Sequence, residues 1–247
     1  MPPMIAITQQ VVKTVSTGKQ EESVVDKTLI VQLPTKVVLT KLPIETPTIG
    51  ETIQLPIGNS WVRVVKPLPI DIQVNSALFE KLWKLHPEER HTIMIYGKAR
   101  QTPRWQQSYG KSYKYSGTTN VALPITEPYF QKLLNWVCED SGLPYQQILV
   151  NWYQDGQHYI GAHSDDEKQL VPNSGIYSFS FGQERIFRVR NKKTKKIFRD
   201  FPVTDNSLLV MGGEMQKYYT HEVPKRAIST VPGQRINITF RLFAKTE

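Results

Sequence analysis

The chain has 247 residues, enough for one sizeable domain with or without an arm, and its 31 Lys and Arg against 22 Asp and Glu give a formal charge of +9 at pH 7. Such a charge favours a polyanionic partner, because clustered cations release the counterions condensed on phosphates. The lone cysteine, Cys138, excludes an internal disulfide; no run of about 18 apolar residues offers a membrane span, and no basic stretch before an apolar run marks a secretory signal. A monomer without a membrane partner is expected, in a reducing intracellular setting that would be the nucleus in a eukaryote.

Residues 1–60 are rich in Thr, Val, Pro, Gln and Lys, and prolines at 34, 43, 47 and 56 interrupt each candidate strand, so this stretch reads as an extended or disordered arm. The domain is placed at 61–247, starting near Trp61 where aromatics become frequent. Leu78, Phe79, Leu82, Trp83 and Leu85 have the spacing of an amphipathic helix that ends before Pro87. Phe130, Leu133, Leu134 and Val137 mark a second helix, with Thr126 as its cap and Gly142 just past its end. Beyond Gly142, short alternating segments divided by Gly, Pro, Asn and Asp suggest strands at 148–154, 159–165, 175–181, 185–190, 207–212, 217–223 and 235–243. Their number suits a double-sheet jelly roll. The expected class is α+β: a cupin-like double-stranded β-helix flanked by N-terminal helices.

His163 and Asp165 lie two apart, so on a strand both side chains project to one face and could share an ion, whereas His158 and Asp166 fall on the other. Two histidines and one carboxylate with open positions form the facial arrangement of non-haem Fe(II) oxygenases, which makes a distant histidine, His221, the natural third ligand. By itself a His-x-Asp pair is a weak signal, because a histidine on a strand is more often hydrogen-bonded in the core or at the surface. The C-terminal strand adds to it. From Arg235 to Leu242 the odd positions are polar and the even ones apolar, so Arg235, Asn237, Thr239 and Arg241 share a face. Beside a metal, a guanidinium there could clamp a dicarboxylate bidentately. Asn151 and Tyr153 repeat the device, with Val150 and Trp152 turned to the core.

Six runs in order resemble the AlkB family of oxidative demethylases, in particular its duplex-DNA repair branch: Pro-Arg-x-Gln-x-x-Tyr-Gly (103–110), Tyr-x-Tyr-Ser-Gly (113–117), Asn-x-Tyr-x-Asp-Gly (151–156), His-Ser-Asp-Asp-Glu (163–167), Ser-Phe-Gly (180–182) and Arg-x-Asn-x-Thr-x-Arg (235–241). The resemblance covers about 93–243. It implies that His163, Asp165 and His221 hold Fe(II). It also implies that 2-oxoglutarate chelates the metal, gripped by Arg235 and Arg241 with Asn151, Tyr153 and Asn237 assisting, and that O2 takes the remaining position. Decarboxylation of the co-substrate to succinate and CO2 then drives hydroxylation of an N-alkyl group on a damaged base, which leaves as an aldehyde. Expected targets are 1-methyladenine and 3-methylcytosine in DNA.

A stacked base must be extruded before its alkyl carbon can be reached. The resemblance implies that Tyr115 and His163 sandwich it, with Tyr113, Ser116, Asp166 and Glu167 at its edge. Tyr96 takes the position of the wedge that fills the vacated stack, and Arg104 that of a phosphate or orphan-base contact. From Lys98 to Lys114 there is no acidic residue, and cations interleave with Trp105, Tyr109 and Tyr113, a nucleic-acid footprint. The run Arg190 to Lys196, including Lys192 and Lys193, corresponds to a loop that touches the complementary strand. Two other readings stand beside this one: an RNA demethylase of the same chemistry, and a nucleic-acid-binding module that keeps the fold without catalysis. A protein hydroxylase ranks behind both, having little use for the basic loop.

Overall fold

The computed structural model describes residues 50–95, 98–115 and 118–244; for Ile95, 113–115 and 118–120 it describes the backbone alone. In chain order come β1 (Glu51–Leu55), β2 (Ser60–Val65), α1 (Ser76–Trp83), β3 (Thr92–Ile95), β4 (Lys98–Gln101) and β5 (Trp105–Tyr109). Then follow β6 (Tyr113–Tyr115), β7 (Thr118–Asn120), β8 (Ala122–Leu123), α2 (Pro128–Ser141), β9 (Gln147–Tyr153), β10 (Ile160–His163) and β11 (Ile176–Gly182). The chain continues through β12 (Arg185–Asn191), β13 (Ile197–Val203), β14 (Ser207–Gly213), α3 (Met215–Tyr218), β15 (Tyr219–Val223) and β16 (Arg235–Arg241).

An eight-stranded sheet in the order β1-β2-β14-β11-β16-β9-β5-β8 faces a four-stranded sheet in the order β10-β15-β12-β13, the double-sheet jelly roll expected of the sequence. Helices α1 and α2 cover the outer face of the large sheet, so its central strands are buried on both sides. Alternation sorts their residues. In β9, Ile148, Val150 and Trp152 join the helix-side core; in β16, Ile236, Ile238 and Phe240 do the same. Between the sheets, Val62, Leu209 and Met211 meet Phe187, Val189 and Tyr219 in a second core. The Trp152 indole donates to Leu82 O at 3.0 Å, pinning α1 to the sheet. On the same side Arg63 of β2 forms a buried ion pair with Asp140 of α2, and Tyr177 Oη donates to that carboxylate at 2.7 Å. Losing either charge would strand the other, at a cost of about 3–5 kcal/mol.

Several local expectations change. β1 pairs with β2 from Glu51↔Val64 to Leu55↔Ser60, so folded structure reaches into residues assigned to the arm, and Trp61 lies inside a strand. Pro56, taken as a strand breaker, sits in the turn between them. Residues 1–49 lie outside the described residues. The cap of α2 is Glu127 rather than Thr126: its carboxylate accepts from Tyr129 N at 3.2 Å, and Pro128 opens the helix, while Gly142 closes it in the left-handed region at φ 66°. Strand β13 was not expected, because Asp200 and Pro202 break its pattern. It is the outer strand of the small sheet, where a missing N–H is tolerated.

Candidate active site

The small sheet supplies the first wall of a cavity. β10 and β15 pair antiparallel with His163 directly opposite His221, and their ring centroids are 4.2 Å apart. One ligand atom from each of His163, Asp165 and His221 lies within 4.8 Å of the others. The route to this meeting differs from the expected one. β10 ends at His163 after a register shift, so Asp165 stands beyond the strand and period-two alternation does not place it. Its backbone N–H instead donates to Gln216 Oε1 of α3 at 2.9 Å, which turns the carboxylate until Oδ1 is 3.8 Å from His163 Nε2. His163 Nδ1 donates to Gly161 O at 2.8 Å, leaving the Nε2 lone pair on the carboxylate side. Phe187 of β12 stacks on His221, centroids 5.2 Å apart, and shields it from water.

Burial lowers the pKa of both imidazoles, that of His221 to about 3, so both are neutral ligands at neutral pH. For Asp165 burial pushes the pKa up, but the Arg241 guanidinium and the His221 and His163 rings together outweigh it and hold the carboxyl down at about 2.

The large sheet supplies the facing wall. Arg235, Asn237, Thr239 and Arg241 of β16 all line the cavity, and register sets Tyr153 opposite Arg235 and Asn151 opposite Asn237. Asn237 Nδ2 donates to Phe179 O at 2.8 Å and Ser178 Oγ at 2.9 Å, while its Oδ1 accepts from Thr239 Oγ1 at 3.1 Å. The two arginines part company. Arg241 donates through Nε and Nη2 to Asp165 Oδ2, at 3.1 and 3.0 Å. Arg235 lies six positions back, about 20 Å along an extended strand. Its Nη2 donates to Ser180 Oγ at 2.9 Å and its guanidinium lies 5.0 Å from the Tyr153 ring centroid.

Buried atoms without a hydrogen-bond partner among the described residues test whether a metal and an anion fit here. They include Asp165 Oδ1 and His221 Nδ1 in the cluster, and Nε and Nη1 of Arg235 at the far end. Unsatisfied buried groups are costly, so this pattern asks for a cation between a nitrogen and an oxygen of the cluster, with the His163 ring alongside, and for an acceptor on Arg235. Neutral imidazoles and an ionised carboxylate suit a divalent first-row metal.

Among the residues expected to contact nucleic acid, Arg104 departs from the expected setting. Arg104 is not at a surface that phosphate could reach: it is 4% exposed, lines the cavity, and donates to Asn151 Oδ1 at 2.7 Å and Gln106 Oε1 at 2.9 Å. Lys192 pairs with Asp166 at 2.6 Å, which occupies both with each other. Arg190 pairs with Glu222 at 2.7 Å, and Glu167 is half-buried beside Asp166. Lys193 stands exposed at the tip between β12 and β13. His158 is buried away from the cluster against Trp105, centroids 5.1 Å apart. Tyr96 and Ser116 lie outside the described residues, as do the side chains of Tyr113 and Tyr115. Sequence reading missed Phe187 and Gln216. Phe187 was accessible through the inward alternation of β12, whereas nothing local marks Gln216.

Comparison with known proteins fits this geometry. The model of the 2OG-Fe(II) oxygenase superfamily matches residues 75–241. The chain is 35% identical over 165 residues to DNA oxidative demethylase ALKBH2 of Mus musculus, covering 63% of this chain and 68% of that protein. To the Homo sapiens protein of the same name it is 33% identical over 165 residues, covering 63% and 62%. To alpha-ketoglutarate-dependent dioxygenase alkB homolog 3 of Bos taurus it is 32% identical over 207 residues, covering 80% and 71%. A solved structure of OsALKBH1 shares the fold, with a TM-score of 0.54 at 16% identity over 78% of this chain and 100% of that one. A jelly roll with a His-Asp-His cluster facing an arginine-bearing strand, matched over this span, belongs to the 2OG-Fe(II) oxygenase superfamily. Within it, the chain is a member of the AlkB family. Fe(II), 2-oxoglutarate and O2 are the cofactor and co-substrates of that superfamily. Among the described residues no helix is long and apolar enough to cross a membrane.

Proposed function

We propose that the chain repairs DNA by oxidative demethylation of alkylated bases such as 1-methyladenine and 3-methylcytosine. In this reading His163, Asp165 and His221 hold Fe(II). Arg235 receives the distal carboxylate of 2-oxoglutarate with Tyr153 beside it, Asn151 presents its amide to the molecule, Asn237 assists by lining the cavity with its own amide N–H groups tied to Ser178 and Phe179, and Arg241 braces Asp165 at the metal end. When bound, Fe(II) would let O2 act as the oxidant, with one oxygen atom passing to 2-oxoglutarate as it loses CO2 to become succinate and the other to the alkyl carbon, whose bond to the base nitrogen then breaks to release an aldehyde. The protein's own part is to hold the ligands neutral or anionic as required, keep water out with Phe187, and place the base.

The observation that carries the reading is the pairing of the two walls, a three-residue ligand cluster on one and a guanidinium with unsatisfied donors on the other. Support for DNA comes from relatives named as DNA oxidative demethylases and from exposed cations at two hairpins, Lys98 and Arg100 on β4 and Lys193, Lys195 and Lys196 beyond β12. The cavity is recessed, so the base must leave its stack to enter; Tyr96, Tyr113, Tyr115 and Ser116 remain assigned to that step by resemblance alone.

A panel of methylated DNA and RNA oligonucleotides, single- and double-stranded at fixed salt, with Fe(II), ascorbate and 2-oxoglutarate, tests the proposal. Loss of the methyl group from DNA with matching succinate release is expected. Preferential turnover of RNA would transfer the activity to that substrate, and no turnover of any oligonucleotide would exclude demethylation.

A further inference from the structure

β12 opens on a cation where its alternation calls for an apolar residue. Arg185 shares the inward face of that strand with Phe187 and Val189 and is only 3% exposed. Backbone carbonyls hold it in place of a carboxylate: Nη1 donates to Asp155 O at 3.1 Å, and Nη2 to His158 O and Pro224 O, each at 2.9 Å. These bonds tie the segment leading into β10 to the segment leaving β15, the strands of His163 and His221. The two segments touch closely, since a Cβ on Gly156 would come within 2.9 Å of the carbonyl oxygens of Arg226 and Ala227.

Arg185 also lies 5.7 Å from the centroid of Tyr153, the same ring that receives Arg235 at 5.0 Å. One phenol therefore carries two buried guanidiniums, and among the described residues neither forms a salt bridge with a carboxylate, Asp155 acting on Arg185 only as a weaker and more distant charge. Burial first and Arg235 second pull the Arg185 pKa down to about 10, which leaves it charged at neutral pH. Two like charges desolvated around one ring repel each other unless an anion joins them.

We propose that Arg185 is a positioning residue for the distal carboxylate of 2-oxoglutarate, acting through Tyr153 and Arg235 rather than by contact, and that it makes the site select a dicarboxylate. The proposal rests on the assignment of Arg235 to that carboxylate. Arg185 does not line the cavity; it orients the ring that Arg235 leans on and adds positive potential behind it.

The test is anaerobic calorimetry on Mn(II)-loaded full chain, titrated with 2-oxoglutarate and with 2-oxopentanoate, which has the same keto-acid end and chain length but no distal carboxylate. Arg185→Met should weaken 2-oxoglutarate about tenfold, the size expected for one charge acting at a ring's remove, while 2-oxopentanoate and Mn(II) affinities stay within about twofold. Arg185→Lys, which keeps the charge, should recover part of the loss and covers the case in which the methionine variant fails to fold. Equal weakening of both keto acids would reduce Arg185 to a structural latch and overturn the proposal, as would no change in either. Arg235→Met serves as the separate control: if wild type does not prefer 2-oxoglutarate, or that preference survives Arg235→Met, the co-substrate site itself is misassigned and Arg185 falls with it.

Discussion

The cavity has two unlike walls. The large-sheet wall is regular: β16 runs in unbroken register with β9 and β11, its polar side chains all on one side, with Arg235, Asn237 and Thr239 held within the sheet and Arg241 reaching across to Asp165. The small-sheet wall is irregular, with a register shift in β10, a ligand beyond the end of that strand, and a glutamine from a four-residue helix setting its direction. A dicarboxylate several bonds long needs donors at fixed spacing, which a pleat provides. A metal needs three atoms pointing at one spot, which a straight strand cannot provide by itself, so the backbone must turn.

Substitutions on the two walls should separate these tasks. The largest effect is expected for His163→Ala, which removes a ligand: turnover should vanish and Mn(II) binding by calorimetry should be lost, and retention of native turnover would break the metal assignment. On the facing wall, Arg235→Met should leave Mn(II) affinity intact while raising KM for 2-oxoglutarate about 10–100-fold, the worth of a charge-assisted pair. An equal loss of metal affinity would show that the walls do not work independently. Gln216→Leu tests the irregularity itself. Without the acceptor for the Asp165 N–H, Mn(II) affinity should fall about tenfold with little change in melting temperature, as outer supports of metal ligands typically behave. The smallest effect lies outside the cavity, where Lys193→Ala should flatten the dependence of DNA affinity on salt by about 0.9 in log-log slope if that side chain meets a phosphate. An unchanged slope would remove this hairpin tip from the DNA surface.

Regular parts of the molecule were legible in the residue order. The alternation of 235–242 marked a polar face and an apolar face, and both exist as such, with the strand buried on both sides. The helices around Leu82 and Leu133 announced themselves by period and by Gly142. Short strands before α2 did not: β4 reads Lys-Ala-Arg-Gln and is fully exposed, so no apolar period marks it. Arg104 illustrates a different failure. The resemblance implied a phosphate or orphan-base contact for it, yet Asn151 and Gln106 accept its hydrogen bonds inside the cavity. Charge type is visible in a sequence, but the direction a side chain takes from an irregular segment is not.

Residue identity and period by themselves determined the jelly-roll class and the polar faces of β9 and β16, because these depend on alternation within strands, whereas residue type alone picked out the groups able to bind a metal. Tertiary structure alone decided that Arg241 braces Asp165 while Arg235 keeps unsatisfied donors, that Gln216 aims the carboxylate, and that Arg185 shares a ring with Arg235. Those relations join residues tens of positions apart, and only the packing of two sheets brings them within hydrogen-bonding or stacking reach.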